Sequence, residues 1–481
     1  MIALTPQPEL DTLPEARYAA SASAKGAPSR GPRWVPAEDP PAAFASLPPA
    51  GPAGPATFGR SATWAFAGNA GYRIAQWAML AALAKWATAE TVGQFGLALA
   101  VCNPVMMMAY LQLGSVMASD ATRSVTFQTY FALRATTATV AVLTICCATL
   151  LIAPLHSAWP VILVMAIAKY VEAQSDIYQG VLKQADRMDV WAVLQLARAA
   201  FSFVLFVSLF FWTRSLVAAI SGLAGTWVVL LVVLDRPVAN RYGIPAVMRT
   251  DGHADTIRRM RELSLATLPL GLISLLIALY AYFPQYLVEA SRGVRDLGLF
   301  VVVASVPLVL ETVVRSAGQA ALPRLGKAYH AGDQERFWQL YRQTFLCFLS
   351  LGLIGLGLVW LFGRHVLTIA FAPEFAAYSD LLLWLMAGAA ISFLTSYGPV
   401  FLAFRRYNVF LLLWLIALAI LVLFAFLLIP PYGVYGAAAA IVVANTARCI
   451  MVHAAIYSLT ATLFAGVPDR TDLTFLAHGH T

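Results

Sequence analysis

Residues 92–117 read VGQFGLALAVCNPVMMMAYLQLGSVM, with no charged side chain anywhere in the run. A helix of roughly 20 apolar residues crosses the hydrocarbon core of a bilayer, and this stretch is longer than that. Eleven more stretches of the same kind follow from the residue pattern, at 61–84, 130–153, 159–182, 190–212, 215–234, 265–288, 297–320, 344–362, 379–403, 409–429 and 434–457. The stretch at 92–117 also has an echo. Its opening Val92-Gly93-Gln94-Phe95 and its Pro104-Val105 return in the eighth span as Leu297-Gly298-Leu299-Phe300 and Pro307-Leu308, about 205 residues later. Each half holds an even number of spans, so both enter from the same side and the repeat runs about an axis along the membrane normal. The fold class expected is an all-α polytopic membrane protein with about 12 transmembrane helices, in two pseudo-symmetric six-helix lobes around a central cavity. The lobes fall at 61–234 and 264–459, joined by an Arg-rich polar linker at 235–263.

Composition agrees with that class. Hydrophobic residues make up 60% of the chain and charged ones 12%, with mean hydropathy +0.73, which leaves too little polar surface for a soluble protein of 481 residues. The five cysteines (Cys102, Cys146, Cys147, Cys347 and Cys449) all lie inside apolar spans, as small hydrophobes do. Residues 1–60 are different material, holding 12 of the 26 prolines and no apolar run, and are expected to form a disordered tail. No signal-peptide pattern precedes residue 61, so the first span is expected to start insertion.

The net charge of +8 is read as topology, not as affinity for nucleic acid. With the N-terminus inside, twenty Lys and Arg residues lie in the tails and loops of that side. Only Lys85, Arg214, Arg292, Arg295 and Arg364 fall outside. Both termini, including the tail at 460–481, are then cytoplasmic.

Charges inside the spans are costly, about 2.5 to 3.5 kcal/mol each on insertion scales, and need a reason. In the fourth span Lys169, Glu172, Asp176, Gly180 and Lys183 recur every three or four residues and share one helical face, which cannot look at lipid. Glu311 and Arg315 are four apart in the eighth span, and Asn69, Arg73 and Gln76 form a stripe in the first. Arg134, Arg198, and Asn445 with Arg448 complete the set. Two readings stay open for Lys169 with Glu172 and for Glu311 with Arg315: pairs that staple helices, or walls of a cavity. Arg73, Arg198 and Arg448 have no acidic neighbour within a turn of their own helices and are expected to line a water-filled cavity. Arg73, Arg134, Lys169, Arg198, Arg315 and Arg448 against Glu172, Asp176 and Glu311 gives six basic to three acidic residues, which favours an anionic, phosphate-bearing ligand. Any of the three carboxylates is a candidate for ion coupling; proton, sodium and undriven exchange remain open.

The run Gly93-Gln94-Phe95-Gly96-Leu97-Ala98-Leu99-Ala100, with Pro104-Val105, Leu111-Gln112-Leu113 and Ser119-Asp120, resembles the opening helices of the polysaccharide biosynthesis proteins, the oligosaccharide flippases of the multidrug/oligosaccharidyl-lipid/polysaccharide exporter superfamily. So do Glu172, Ser175-Asp176-Ile177, Gly180 and Arg187-Met188-Asp189, and the stretch from Pro430-Pro431-Tyr432-Gly433 to Ala438. The resemblance covers about 61–459. One departure is Gly114, where the resemblance leads to an Arg, so a cationic contact is expected to be missing there. The resemblance implies an inner-membrane flippase that moves an undecaprenyl-pyrophosphate-linked oligosaccharide between leaflets by alternating access, for lipopolysaccharide O-antigen, capsule or exopolysaccharide assembly. It implies membrane lipids, a polysaccharide polymerase and chain-length proteins as partners, and no cofactor.

Enzyme motifs are not found: there is no Gly-x-x-x-x-Gly-Lys, His-Glu-x-x-His or Gly-x-Ser-x-Gly, and the seven histidines are scattered, so no metal site is expected. Two rivals remain. A membrane-embedded polysaccharide polymerase or ligase would be expected to carry a large outer loop, whereas the longest here is 363–378. A multidrug or cation antiporter of the same superfamily would be expected to have acidic cavity walls. The topology has a direct test: an alkaline phosphatase reporter fused after Arg364 should be active, and one fused after Arg249 should be silent. Activity at Arg249 would overturn the orientation.

Overall fold

A computed structural model of the chain describes residues 55–120, 125–152, 158–242, 253–396, 400–403 and 406–464. Most of both expected tails lies outside the described residues. Among the described residues every regular element is helical. The N-terminal half contains α1 (Pro55–Trp86), α2 (Ala89–Tyr110), α3 (Leu113–Ser119), α4 (Phe127–Leu151), α5 (Trp159–Gln184), α6 (Met188–Thr213), α7 (Leu216–Leu230) and α8 (Arg236–Tyr242). A π-helical turn at Leu231–Asp235 joins α7 to α8. The C-terminal half contains α9 (His253–Arg292), α10 (Val294–His330), α11 (Gln334–Ala370), α12 (Ser379–Leu394), α13 (Val400–Ala403), α14 (Tyr407–Tyr432) and α15 (Val434–Phe464).

Ten of these helical segments are long and apolar enough to cross a membrane, and the chain is a multi-pass membrane protein. The all-α polytopic class holds, and two of the expected spans, α1 and α5, are less apolar than the rest. Helices α1 and α5 fall short because they carry the polar stripes, Asn69, Arg73 and Gln76 on one and Lys169, Glu172, Asp176 and Lys183 on the other. An enclosed helix need not be apolar all round, and α5 packs against α2, α3, α4, α6, α7 and α8. The outer surface is what a hydrocarbon solvent requires: Leu151 is 83% exposed and Trp212 81%, and Leu353, Ile354, Leu358 and Leu361 project from α11.

The halves meet along α2, which packs on α4 and α5 of its own half and on α9 and α10 of the other. Its crossing with α10 is reciprocal. A Cβ added to Gly93 would fall 1.9 Å from the Val294 carbonyl oxygen, and one added to Gly298 would fall 1.8 Å from that of Ala89. Ala89 and Val294 are themselves related by the 205-residue repeat, as are Gly93 and Gly298. Gly96 faces Val301, its own repeat partner, with only 2.7 Å from its would-be Cβ to a Val301 methyl. A local two-fold axis thus passes through this contact. Glycine is needed because two backbones cannot approach this closely with a side chain between them.

At the same end of the bundle, Lys85 Nζ donates to the Ile369 carbonyl at 2.9 Å and Trp77 meets Phe371 edge-on at 5.7 Å. Arg292 Nη2 donates to the carbonyls of Pro430 (2.7 Å) and Pro431 (3.1 Å), and Arg214 Nη1 to that of Trp86 (3.4 Å). Three of the five basic residues expected outside therefore hydrogen-bond to carboxyl-terminal carbonyls of helices, where a cation meets the negative end of the helix dipole.

Asp235, expected as the first residue of the polar linker, is instead 2% exposed and belongs to the packed N-terminal half. The described part of the linker continues as α8 and resumes at His253 as the start of α9. The glycine crossing carries a prediction: Gly93→Val or Gly298→Val should overpack the seam and cost about 1 to 3 kcal/mol, seen as a lower Tm in detergent. Gly225→Ala on α7, where nothing lies within 4 Å of the added carbon, should leave Tm unchanged or raise it.

Candidate functional site

Helix α5 starts with Pro160 in its first turn and presents its charged residues at helical spacing to six surrounding helices. Two ion pairs result, and a third forms beside them. Lys169 Nζ meets Glu172 Oε2 at 2.8 Å, with Trp227 of α7 under the ammonium at 5.8 Å. Tyr72 of α1 donates its hydroxyl to the other carboxylate oxygen of Glu172 at 2.8 Å. One turn on, Arg134 of α4 donates from Nη2 to Asp176 Oδ2 at 2.7 Å and stacks on the Tyr110 ring at 4.7 Å. Arg134 is fully buried, whereas the Asp176 side chain is 32% exposed.

The third pair is Arg198 of α6 with Asp235, at 2.5 Å, both nearly inaccessible. Ser175 of α5 lies between them, accepting from Arg198 and donating to Asp235. The network extends through Gln195, which accepts from Gln179 Nε2 at 3.3 Å, and Gln179 in turn accepts from the Trp191 indole at 2.9 Å. Asp235 reaches Arg198 from the last position of the π-helical turn, a local widening that re-aims side chains.

Arg198 reads from the sequence as lining a water-filled cavity because no acid lies within a turn of it on its own helix. The acid comes from another element, and the geometry is that of a closed pair. Asp235 was overlooked because it ends an apolar run and reads as the start of a linker. A signal was available: a lone arginine in one span and a carboxylate at the edge of the next apolar run are candidates for each other. With Asp235 counted, the buried N-terminal charges balance, Arg134, Lys169 and Arg198 against Asp176, Glu172 and Asp235. The excess of six basic over three acidic residues does not describe this interior.

Gly114, the departure from the resemblance, lies directly against Asp176: a Cβ there would be 2.7 Å from Oδ2. The cation that meets this carboxylate is Arg134.

The remaining candidates are apart from this column. Asn69 and Arg73 lie on the exposed face of α1, where Asn69 Nδ2 donates to the Ala65 carbonyl at 3.0 Å. Arg73 has no carboxylate partner among the described residues. Glu311 is half-buried on α10, and the side chain of Arg315 lies outside the described residues. In the C-terminal half Arg448 of α15 is 7% exposed, with its guanidinium over Trp414 at 4.6 Å and Tyr280 at 5.1 Å and Nη2 donating to Ser392 at 2.8 Å. Asn445 accepts from the Tyr280 hydroxyl at 2.8 Å and donates to the Gly388 carbonyl at 3.0 Å. These aromatic partners come from α9 and α14, far away in sequence.

A family model described as polysaccharide biosynthesis protein matches residues 58–329. The capsular polysaccharide biosynthesis protein CapF of Staphylococcus aureus is 23% identical over 389 residues, covering 79% of this chain and 94% of CapF. Among solved structures, the inward-facing conformation of a multidrug resistance MATE family transporter of the MOP superfamily superposes with TM-score 0.67 at 13% identity, over 82% of this chain and 96% of that one. The outward-facing conformation of a MATE family transporter of the same superfamily gives TM-score 0.58 at 14% identity, over 85% and 96%.

The third ion pair yields a prediction. Asp235→Leu alone leaves Arg198 buried and unmatched, which costs about 3 to 5 kcal/mol, so membrane abundance and Tm should both fall. Adding Arg198→Leu should restore most of the loss, as measured by immunoblot and thermal melting of the single and double variants.

Proposed function

The chain belongs to the polysaccharide biosynthesis protein family, and from that premise we propose that it flips a polyprenyl-pyrophosphate-linked oligosaccharide from the cytoplasmic to the outer leaflet of a bacterial inner membrane by alternating access. At the coarser level it is a membrane transporter of polysaccharide synthesis. The finer reading has both termini cytoplasmic, an N-lobe of α1–α8 and a C-lobe of α9–α15. It assigns no catalytic chemistry to the chain.

The observation that carries the reading is the clamp between the halves at the end bearing the α1–α2 and α9–α10 turns. Two glycine-dependent backbone contacts, the Lys85 bond to α11 and the Trp77–Phe371 contact all lie there. In the orientation inferred from the Lys and Arg distribution, that end faces outward. A transporter closed outside is ready to receive cargo from the cytoplasmic leaflet, and the higher TM-score to an inward-facing transporter supports the same state.

In this reading the paired charges of α5 hold the N-lobe together, and cargo recognition falls to cations outside that column. Arg73, with Asn69 beside it on the open face of α1, is the first candidate for the pyrophosphate, since a guanidinium offers a fork of donors to phosphate oxygens. Arg448, held between aromatic rings, is the corresponding candidate in the C-lobe. Arg73→Ala should keep membrane abundance and cut surface polymer at least about tenfold, the loss of roughly one charge-assisted contact, while lipid-linked repeat units accumulate in the inner leaflet. Arg198→Ala should instead lose the protein itself. Normal polymer from Arg73→Ala and Arg448→Ala together would overturn the assignment of the cargo anion to these cations. A change in drug resistance with unchanged polymer would favour the antiporter.

A further inference from the structure

Helix α2 ends at Tyr110 and resumes as α3 at Leu113, and the two residues between them are both left-handed: Leu111 has φ 45° and Gln112 φ 54°. Neither is glycine, asparagine or aspartate, the residues that adopt this conformation readily. Such backbone persists only where the surroundings over-determine it. No proline causes the break, because Pro104 lies inside α2, before it. The break is also absent from the repeat partner: α10 runs as one helix through positions 316 and 317.

Four of five consecutive residues here touch two different things. Tyr110 stacks on the guanidinium of Arg134, and Gly114 lies against the carboxylate of Asp176, so the two ends of the break grip the two members of one ion pair. The middle grips the other half. Leu111 packs on Gly271 of α9, where a Cβ would be 2.7 Å from the leucine methyl, and Gln112 Nε2 donates to Ser274 Oγ at 2.9 Å. Arg134 is fully buried yet two of its nitrogens, Nε and Nη1, have no hydrogen-bond partner among the described residues, so this guanidinium holds donor capacity that a rearrangement would use.

We propose that the Tyr110–Gly114 break is the joint that couples the Arg134–Asp176 pair to the seam between α2 and α9, with Gln112 as a positioning residue. It rests on the alternating-access reading. A change at the carboxylate shifts Gly114 or Tyr110, and the strained pair between them passes the displacement to α9. The repeat supplies no second joint in α10, so movement is controlled from the N-terminal half. Two discrete backbone arrangements at one short segment are the kind of element that both sites can bias.

The test is disulfide formation in membranes, with the full chain and its five native cysteines replaced by alanine. One pair is Leu111→Cys with Gly271→Cys, at the joint, where a Cβ on residue 271 lies 3.7 Å from the Leu111 Cα and Gln112 stays in place. The other is Gly96→Cys with Val301→Cys, across the seam before the break, where the two Cβ atoms would lie 3.4 Å apart. Adding Asp176→Asn should change the oxidation rate of the first pair at least about fivefold, the lower end of ordinary coupling, and leave the second within about twofold. Equal changes at both pairs, or none at either, overturn the proposal. Gln112→Gly, which suits the left-handed backbone, should keep abundance and lose export, while Gln112→Asn, whose amide still donates, should retain export. Full export by Gln112→Gly would also overturn the proposal. Polymer export by the cross-linked protein is a separate readout: unimpaired export would remove alternating access itself, whatever the rates show.

Discussion

Three cations buried among helices in a hydrocarbon solvent each demand an anion, and the N-terminal half is organised around meeting that demand. Helix α5 supplies two of the carboxylates and the serine that bridges the third pair. Its neighbours supply the rest: Arg134 from α4, Arg198 from α6, Asp235 from the π-helical turn after α7, and a tyrosine hydroxyl from α1. A single member removed from the closed Arg198–Asp235 pair leaves a charge that neither lipid nor packing can accommodate. That requirement fixes the rotation of each surrounding helix about its axis, which apolar contact alone would leave loose because lipid tails are as apolar as leucine.

The second constraint is steric. Where α2 crosses α10, backbone meets backbone, and the contact is made twice by residues related through the internal repeat. A duplicated segment that pairs with its own copy generates a two-fold interface without further design, since any contact from one copy to the other is made again in reverse. The symmetry is then broken on purpose at the other end of the same helix. Helix α2 breaks at Leu111 and Gln112 to hold α9, while α10 continues straight. The two halves are alike in construction and unlike in how they hold each other.

The polarity of the interior changes what can bind. The charges of the α5 column are paired with one another, so the proposed contacts to a cargo anion fall to cations outside it. Arg73 is exposed on α1, and Arg448 is held by Trp414 and Tyr280 with its charge retained against aromatic faces.

By itself the sequence determined the class and much of the plan. Apolar run length sets membrane crossing, since hydrocarbon thickness is the same for every span, and the recurrence of Val92-Gly93-Gln94-Phe95 at Leu297 marks the duplication that the α2–α10 crossing realises. The helical spacing of Lys169, Glu172 and Asp176 placed them on one face, because helix geometry is local. Partners could not be read the same way. Arg198 pairs with Asp235 at a separation of 37 residues, and Arg134 with Asp176 at 42. Which helices become neighbours depends on packing across the whole bundle, so Arg198 looked solitary and Asp235 looked like linker. The break at Leu111 and Gln112 carries no glycine or proline to announce it. Only the tertiary contacts with Gly271, Ser274 and Asp176 compensate two left-handed residues that the local sequence disfavours, and those contacts exist only once both halves are folded together.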